Sequence, residues 1–330
     1  MASDEQPGRL NVSRRSFVAG IAAVAASGTL DRSAEAQPAP IPILDSHIHL
    51  FDPRRPQGAP YTGPRVPGQP PIPALPDRYR KLAVPHGIVG AIKVECSPWI
   101  EDNLWVLQIA EQDTIMVGVI GNLQPEKPEF AEYLGRYHKN RLFRGIRYGN
   151  LWRRDLTAQV ENPDFIRGIQ LLAEADLVLE TADPTVRLLE GSLRLTDKVP
   201  GLRLILDHLP RLVPHPDEQA AYRNVVRELG MRPQVYVKLS EIIHRVDDRI
   251  PTDLASYREQ LDFLMETFGE DRILFGSDWP HSDGFAPFEK VMSIAKEYFS
   301  SQPRRVAEKY FWRNSIAAYK WTRRDPAQPS

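Results

Sequence analysis

Short runs rich in Val, Ile and Leu alternate with helix-like stretches eight times between Ile43 and Tyr319. This alternation constrains the fold more than any other feature of the chain. Apolar strands without a polar face belong to parallel sheets covered on both sides, and parallel strands need helical crossovers. The strands are expected at Ile43–Leu50, Ile88–Cys96, Ile115–Asn122, Phe143–Tyr148, Leu177–Thr181, Leu202–Asp207, Val235–Leu239 and Ile273–Phe275. Helices are expected at Asp102–Glu111, Pro128–Tyr137, Pro163–Glu174, Pro184–Leu195, Asp217–Leu229, Asp253–Phe268 and Pro287–Tyr298. Two short ones, Pro303–Tyr310 and Arg313–Tyr319, close the chain. Several start with proline near the first turn, where its missing N–H costs nothing. The expected fold is a single α/β domain, a (β/α)8 TIM-type barrel. A doubly wound open sheet is the alternative, weakened because no G-x-G-x-x-G follows the first strand.

One stretch breaks the rhythm. Asp52 to Pro76 holds nine of the chain's thirty prolines and three glycines. Such a segment cannot be a helix or a central strand. It is expected as a long loop after the first strand, a lid or wall at the barrel's C-terminal face.

Residues 1–36 are read as an export signal rather than as fold. Ser13-Arg14-Arg15-Ser16-Phe17-Val18 carries the twin arginines, Val18 to Ala26 is a mild apolar run, and Ala34-Glu35-Ala36 is an A-x-A cleavage site. The run is too short for a membrane span, which needs about 20 residues. The mature domain is therefore expected to be residues 37–330, exported by the twin-arginine machinery to the periplasm. Lys and Arg total 42 against 43 Asp and Glu. That balance provides no basic footprint for nucleic acid. The single cysteine, Cys96, excludes an intrachain disulfide framework.

Barrel enzymes place their chemistry at the C-terminal ends of the strands. His47 and His49, two apart on the first strand, are expected on one face, with Asp45 alongside. The pair suits one metal ion or the polarisation of one substrate oxygen. Asp278, in Phe275-Gly276-Ser277-Asp278-Trp279-Pro280-His281, is a metal ligand or a general base toward water. His208, after Asp207, is a further ligand or acid–base group. Arg147 suits a carboxylate or a developing oxyanion. Glu95 and Lys238 read equally as internal ion pairs or substrate contacts. Trp99, Trp152, Trp279 and His244 are placed on loops at the same face. His86, His138 and His215 are read as structural, and Cys96 lacks an adjacent base to activate it.

Asp45-Ser46-His47-Ile48-His49-Leu50-Phe51-Asp52-Pro53, Val94-Glu95 with Glu101-Asp102-Asn103-Leu104-Trp105, Gly145-Ile146-Arg147, Leu206-Asp207-His208-Leu209, Lys238-Leu239-Ser240 and Phe275-Gly276-Ser277-Asp278-Trp279-Pro280 occur in that order. The ordered set resembles the amidohydrolase superfamily, in its amidohydrolase-related branch, from about Ile43 to Tyr319. That branch includes fuconolactonase- and rhamnonolactonase-type sugar lactonases and 2-pyrone-4,6-dicarboxylate lactonase. The resemblance implies a hydrolase opening a small lactone, from a sugar acid or an aromatic breakdown route. Asp278 would take the proton of water, and His47, His49, His208 or a metal would polarise the carbonyl. Arg147, Glu95, Lys238 and His281 would contact substrate. The fourth strand lacks the family's bridging lysine and the fifth its histidine, which argues against a two-metal site. What stays open is one divalent ion, zinc by ligand type, on His47, His49 and Asp278, or no metal, as in some lactonases of the branch. The alternatives are a metal-dependent decarboxylase of the aminocarboxymuconate or resorcylate type, to which His281 after Asp278 gives support, and a non-catalytic periplasmic binding protein. A homodimer would fit the family's habits.

Overall fold

In the computed structural model, residues 39–65 and 67–330 are described. The twin-arginine motif, the apolar run and the cleavage site lie outside them. The chain runs β1 (Ile43–Ile48), α1 (Pro76–Ala83), β2 (Ile88–Lys93), α2 (Asp102–Gln112), β3 (Met116–Gly121), α3 (Phe130–Tyr137), β4 (Phe143–Arg147), α4 (Leu156–Gln159), α5 (Pro163–Glu174), β5 (Val178–Glu180) and α6 (Val186–Lys198). It continues through β6 (Arg203–Leu206), α7 (Gln219–Gly230), β7 (Val235–Lys238), α8 (Arg258–Phe268), β8 (Ile273–Leu274), α9 (Phe288–Ser300), α10 (Arg304–Glu308) and α11 (Asn314–Tyr319). All eight strands are parallel, in sequence order from β1 to β8.

Backbone bonds close the seam between the last strand and the first. Ser46 donates to Phe275 at 3.0 Å, Asp278 to His47 at 2.9 Å and His49 to Trp279 at 2.8 Å. The result is a TIM-type barrel. Leu44, Ile92, Val117, Ile120, Val178, Ile205 and Leu274 fill its lower interior, closed by Trp312, Tyr319 and Trp321. The larger apolar layer lies between the sheet and its helices.

Several boundaries differ from expectation. Most strands stop one or two residues early at the mouth, because the terminal residues leave the ladder for irregular backbone around the cavity. Helix α6 starts at Val186 rather than Pro184, where the Thr185 side chain accepts from the Leu188 amide as N-cap. The expected Asp253–Phe268 helix is split by a 3-10 turn at Leu254–Ser256, which Asp253 caps. The last two expected helices are joined through a π-turn at Lys309–Arg313. Between Ile48 and Pro76 the described residues form no regular element beyond an isolated bridge of Phe51 with Ala74. Helix α1 follows directly, with Pro76 at its start.

The expectation that Asp45 shares a face with His47 and His49 is overturned. β1 pairs Asp45 with Ala91 but Ile48 with Lys93, three steps against two. This β-bulge resets the alternation. Asp45 instead lies under α1, accepting from the Tyr79 hydroxyl at 2.7 Å and the Ser277 amide at 2.8 Å. Burial raises its carboxyl to about 6.

Candidate active site

A cavity of about 450 Å³ opens at the C-terminal mouth of the barrel. His49, Arg147, His208, Glu241 and Asp278 reach it from the ends of β1, β4, β6, β7 and β8, and Tyr61, Cys96, Leu151, Trp152, Asp183, Arg211 and His281 complete its wall. A larger groove, about 760 Å³, runs past Leu104, Arg136 and Arg324, but none of the described residues lining it is a histidine or cysteine.

Three cavity residues stand in left-handed backbone, His208 at φ 57°, Glu241 at 49° and Asp278 at 57°. Each such non-glycine costs roughly 1–2 kcal/mol, and strain of this kind clusters at functional sites. Here it occurs just beyond three successive strands, and it turns these side chains into the mouth.

Asp278 is buried beside the Glu241 carboxyl, and among the described residues no N–H or hydroxyl donates to it. Its Oδ1 lies 3.0 Å from His49 Nε2 and 3.4 Å from His47 Nε2. His49 Nδ1 meets the Val94 carbonyl at 3.0 Å, so Nδ1 carries the proton and Nε2 is an acceptor. Two acceptors at 3.0 Å require a proton or a cation between them. Burial raises the Asp278 carboxyl above its ordinary range. Burial likewise holds His47, His49 and His208 well below the usual histidine range, with Lys238, Arg147 and Arg211 respectively adding to it. The three imidazoles are therefore neutral near pH 7.

His47, His49 and Asp278 present ligand atoms within 4.8 Å of one another. Two imidazole nitrogens and a carboxylate oxygen are compatible with a divalent ion. His49 is also in the tautomer that a ligand needs, anchored through its other nitrogen.

Beneath the cavity lies a layer of paired charge. Lys238, fully buried, reaches Glu180 at 2.8 Å, His47 Nδ1 at 3.0 Å and Asp207 at 3.1 Å. Arg147 donates from Nε to Glu95 at 2.8 Å and from Nη2 to the Glu95 carbonyl. Burial alone would lower the Arg147 guanidinium, but Glu95 and Asp207 carry it above the ordinary arginine value.

The structure thus brings together His47, His49, His208, Asp278, Arg147 and His281. Tyr61 meets His281 Nδ1 at 3.0 Å. The substrate contacts expected of Lys238 and Glu95 are not seen: both are internal ion pairs, and neither lines the cavity. Of the loop aromatics, Trp152 lines it, while Trp279 is buried against Tyr79 and His244 packs on Tyr257. Trp99 is not among its lining residues. The Cys96 thiol, pushed up to about 11 by burial, is no nucleophile at neutral pH.

Glu241 is a cavity residue that sequence reasoning missed. It stands three residues past β7, so strand-end reasoning carried one residue beyond Ser240 would have reached it. Burial, then the Asp278 charge, pushes its carboxyl up to about 8. Tyr61, Asp183 and Arg211 carry no comparable pattern in the sequence.

The chain matches the family described as Amidohydrolase over residues 44–321. An L-fucono-1,5-lactonase of Burkholderia multivorans is 27% identical over 256 residues, covering 74% of this chain and 84% of that one. A crystal structure of an amidohydrolase from Burkholderia multivorans with bound zinc superposes with TM-score 0.76 at 25% identity, over 85% of this chain and all of that one. The fold is shared as well with a putative 2-pyrone-4,6-dicarboxylic acid hydrolase of Pseudomonas putida, at TM-score 0.67 and 19% identity, over 86% and 98% of the two chains. With the matched region spanning the whole barrel and every strand end that forms the cavity, this chain belongs to the amidohydrolase family.

Proposed function

We propose that the protein opens a small lactone by water attack in this cavity. The observation that carries the reading is Asp278, a buried carboxylate held at the cavity beside Glu241 and the His47 and His49 nitrogens. A carboxyl raised by burial is a stronger base than an ordinary one once ionised. Asp278 takes a proton from water, and the oxygen adds to the lactone carbonyl carbon. Arg147 and His208, both facing the cavity, are placed to donate to the oxyanion that forms. The ring C–O bond then breaks and the alkoxide recovers the proton, giving the hydroxy acid. If a metal is bound, His47, His49 and Asp278 would hold it, zinc by this donor set, and it would supply carbonyl polarisation. The similarity to L-fucono-1,5-lactonases supports the lactone over other hydrolysable groups.

The decarboxylase reading has less support. The fifth strand ends in Glu180, whose carboxylate is committed to Lys238 and Tyr319 below the cavity. The test is the initial proton balance, by pH indicator, against lactones and aromatic carboxylates. Acid release on a lactone supports the hydrolase. Proton uptake on a carboxylate would replace it with the decarboxylase, and binding without turnover would leave a binding protein.

We also propose a periplasmic location, reached by twin-arginine export, on the strength of residues 13–36 of the sequence. Cell fractionation of the Arg14→Lys/Arg15→Lys variant tests it: retention in the cytoplasm is expected, and unchanged distribution would refute it.

A further inference from the structure

The buried lysine under the cavity decides something that the ligand set alone does not. An ammonium group has three donors and no acceptor. Lys238 Nζ has three neighbours to receive them: Glu180 Oε2 at 2.8 Å, His47 Nδ1 at 3.0 Å and Asp207 Oδ1 at 3.1 Å. Two carboxylates and the face of the Tyr319 ring, 5.8 Å away, surround the ammonium. His47 Nδ1 must then accept, and a neutral imidazole that accepts at Nδ1 carries its proton at Nε2. That proton faces Asp278 Oδ1, 3.4 Å away. A metal ligand at this position needs the opposite arrangement, with Nε2 bare and Nδ1–H donating to an acceptor. Among the described residues, the carboxylate within ion-pair distance of Nδ1 is that of Asp207, with Oδ2 at 3.7 Å. His47 and His49 therefore differ: His49, anchored on a carbonyl, is ready to ligate, and His47, anchored on an ammonium, is not.

We propose that Lys238 is a positioning residue that fixes His47 as the Nε2–H tautomer, turning that N–H toward Asp278 and weakening the hold of the His47–His49–Asp278 group on a divalent cation. The His47 tautomer and the cation affinity can both be measured without substrate or turnover.

The first test is nitrogen NMR of the full chain labelled with 15N-histidine, in chelator-treated buffer, with His47→Gln and His49→Gln variants assigning the signals. His47 is expected as the Nε2–H form and His49 as the Nδ1–H form. His47 observed with its proton on Nδ1 would overturn the proposal. The second test is zinc affinity by calorimetry. Lys238→Met removes the cation that two buried carboxylates share, so the variant for this test is Lys238→Met/Glu180→Gln, which removes one charge of each sign. Zinc is expected to bind about tenfold tighter or more than to the unmodified chain, the scale of one charge-assisted hydrogen bond. Adding His47→Gln should abolish the gain. Unchanged zinc affinity in a folded double variant, or a gain that survives loss of His47, would refute the role. If the double variant does not fold, the NMR result decides alone.

Discussion

The two ends of the barrel interior are built from the same strands and obey different physics. At the lower end, Val178, Ile205 and Leu274 pack with the other inward residues into a dry apolar plug. Two residues beyond Val178 and Ile205 the side chains are Glu180 and Asp207, and β7 ends in Lys238, all fully buried. Burial of an aliphatic side chain stabilises by about 1.5–3 kcal/mol. A buried ion pair often contributes nothing net, because desolvation offsets the attraction. The lower half therefore stabilises the fold. The upper half is better explained by what it orients: His47, Arg147 and, through them, Asp278.

The upper end is disabled most severely by Asp278→Asn, which keeps the shape and tolerates left-handed backbone. Lactone turnover should fall by about 10²–10⁴, with the thermal midpoint little changed. Retained activity by the indicator assay would remove Asp278 from the chemistry.

The reciprocal change is Ile205→Ala in the plug. It should cost about 2–5 kcal/mol by denaturant unfolding and leave kcat/KM per folded molecule as it was. A comparable loss of activity would mean that the two ends are mechanically coupled.

Acidity should separate the ends as well. Asp278 works as a base only when ionised, and burial raises its pKa, so kcat/KM should fall on acidification at a pH above the ordinary carboxylate range. Stability follows from Glu241. Its folded pKa, about 8, exceeds the ordinary glutamate value of about 4.3. The folded state then binds the proton more tightly. This contribution is fully present below the unfolded pKa and is lost as pH rises through about 8. Denaturant midpoints from pH 5 to 9 would show the decline, and Glu241→Gln should flatten it.

The smallest effect is expected at the rim. Tyr61→Phe removes the partner of His281, an exchange worth about 1 kcal/mol, so KM should rise about fivefold or less with kcat nearly constant. A large fall in kcat would place this residue in the reaction itself.

Much of this was legible in the sequence because it rests on local periodicity. Eight apolar runs separated by helices point to a barrel over an open doubly wound sheet, and a barrel delivers its strand ends to one mouth. His47, His49, His208, Arg147 and Asp278 could be named on that ground alone. What sequence could not determine depends on contacts between distant segments. Lys238 and Glu95 stand at strand ends like the others, yet partners 58 and 52 residues away draw them below the cavity. The bulge in β1 is a matter of register against β2, and it sent Asp45 to the opposite side of the sheet from its neighbours. The proton on His47 is set by an ammonium 191 residues along the chain. Side-chain period is a property of a strand by itself, whereas charge pairing, register and tautomer belong to pairs of groups that only the closed barrel brings within 3 Å or so of each other.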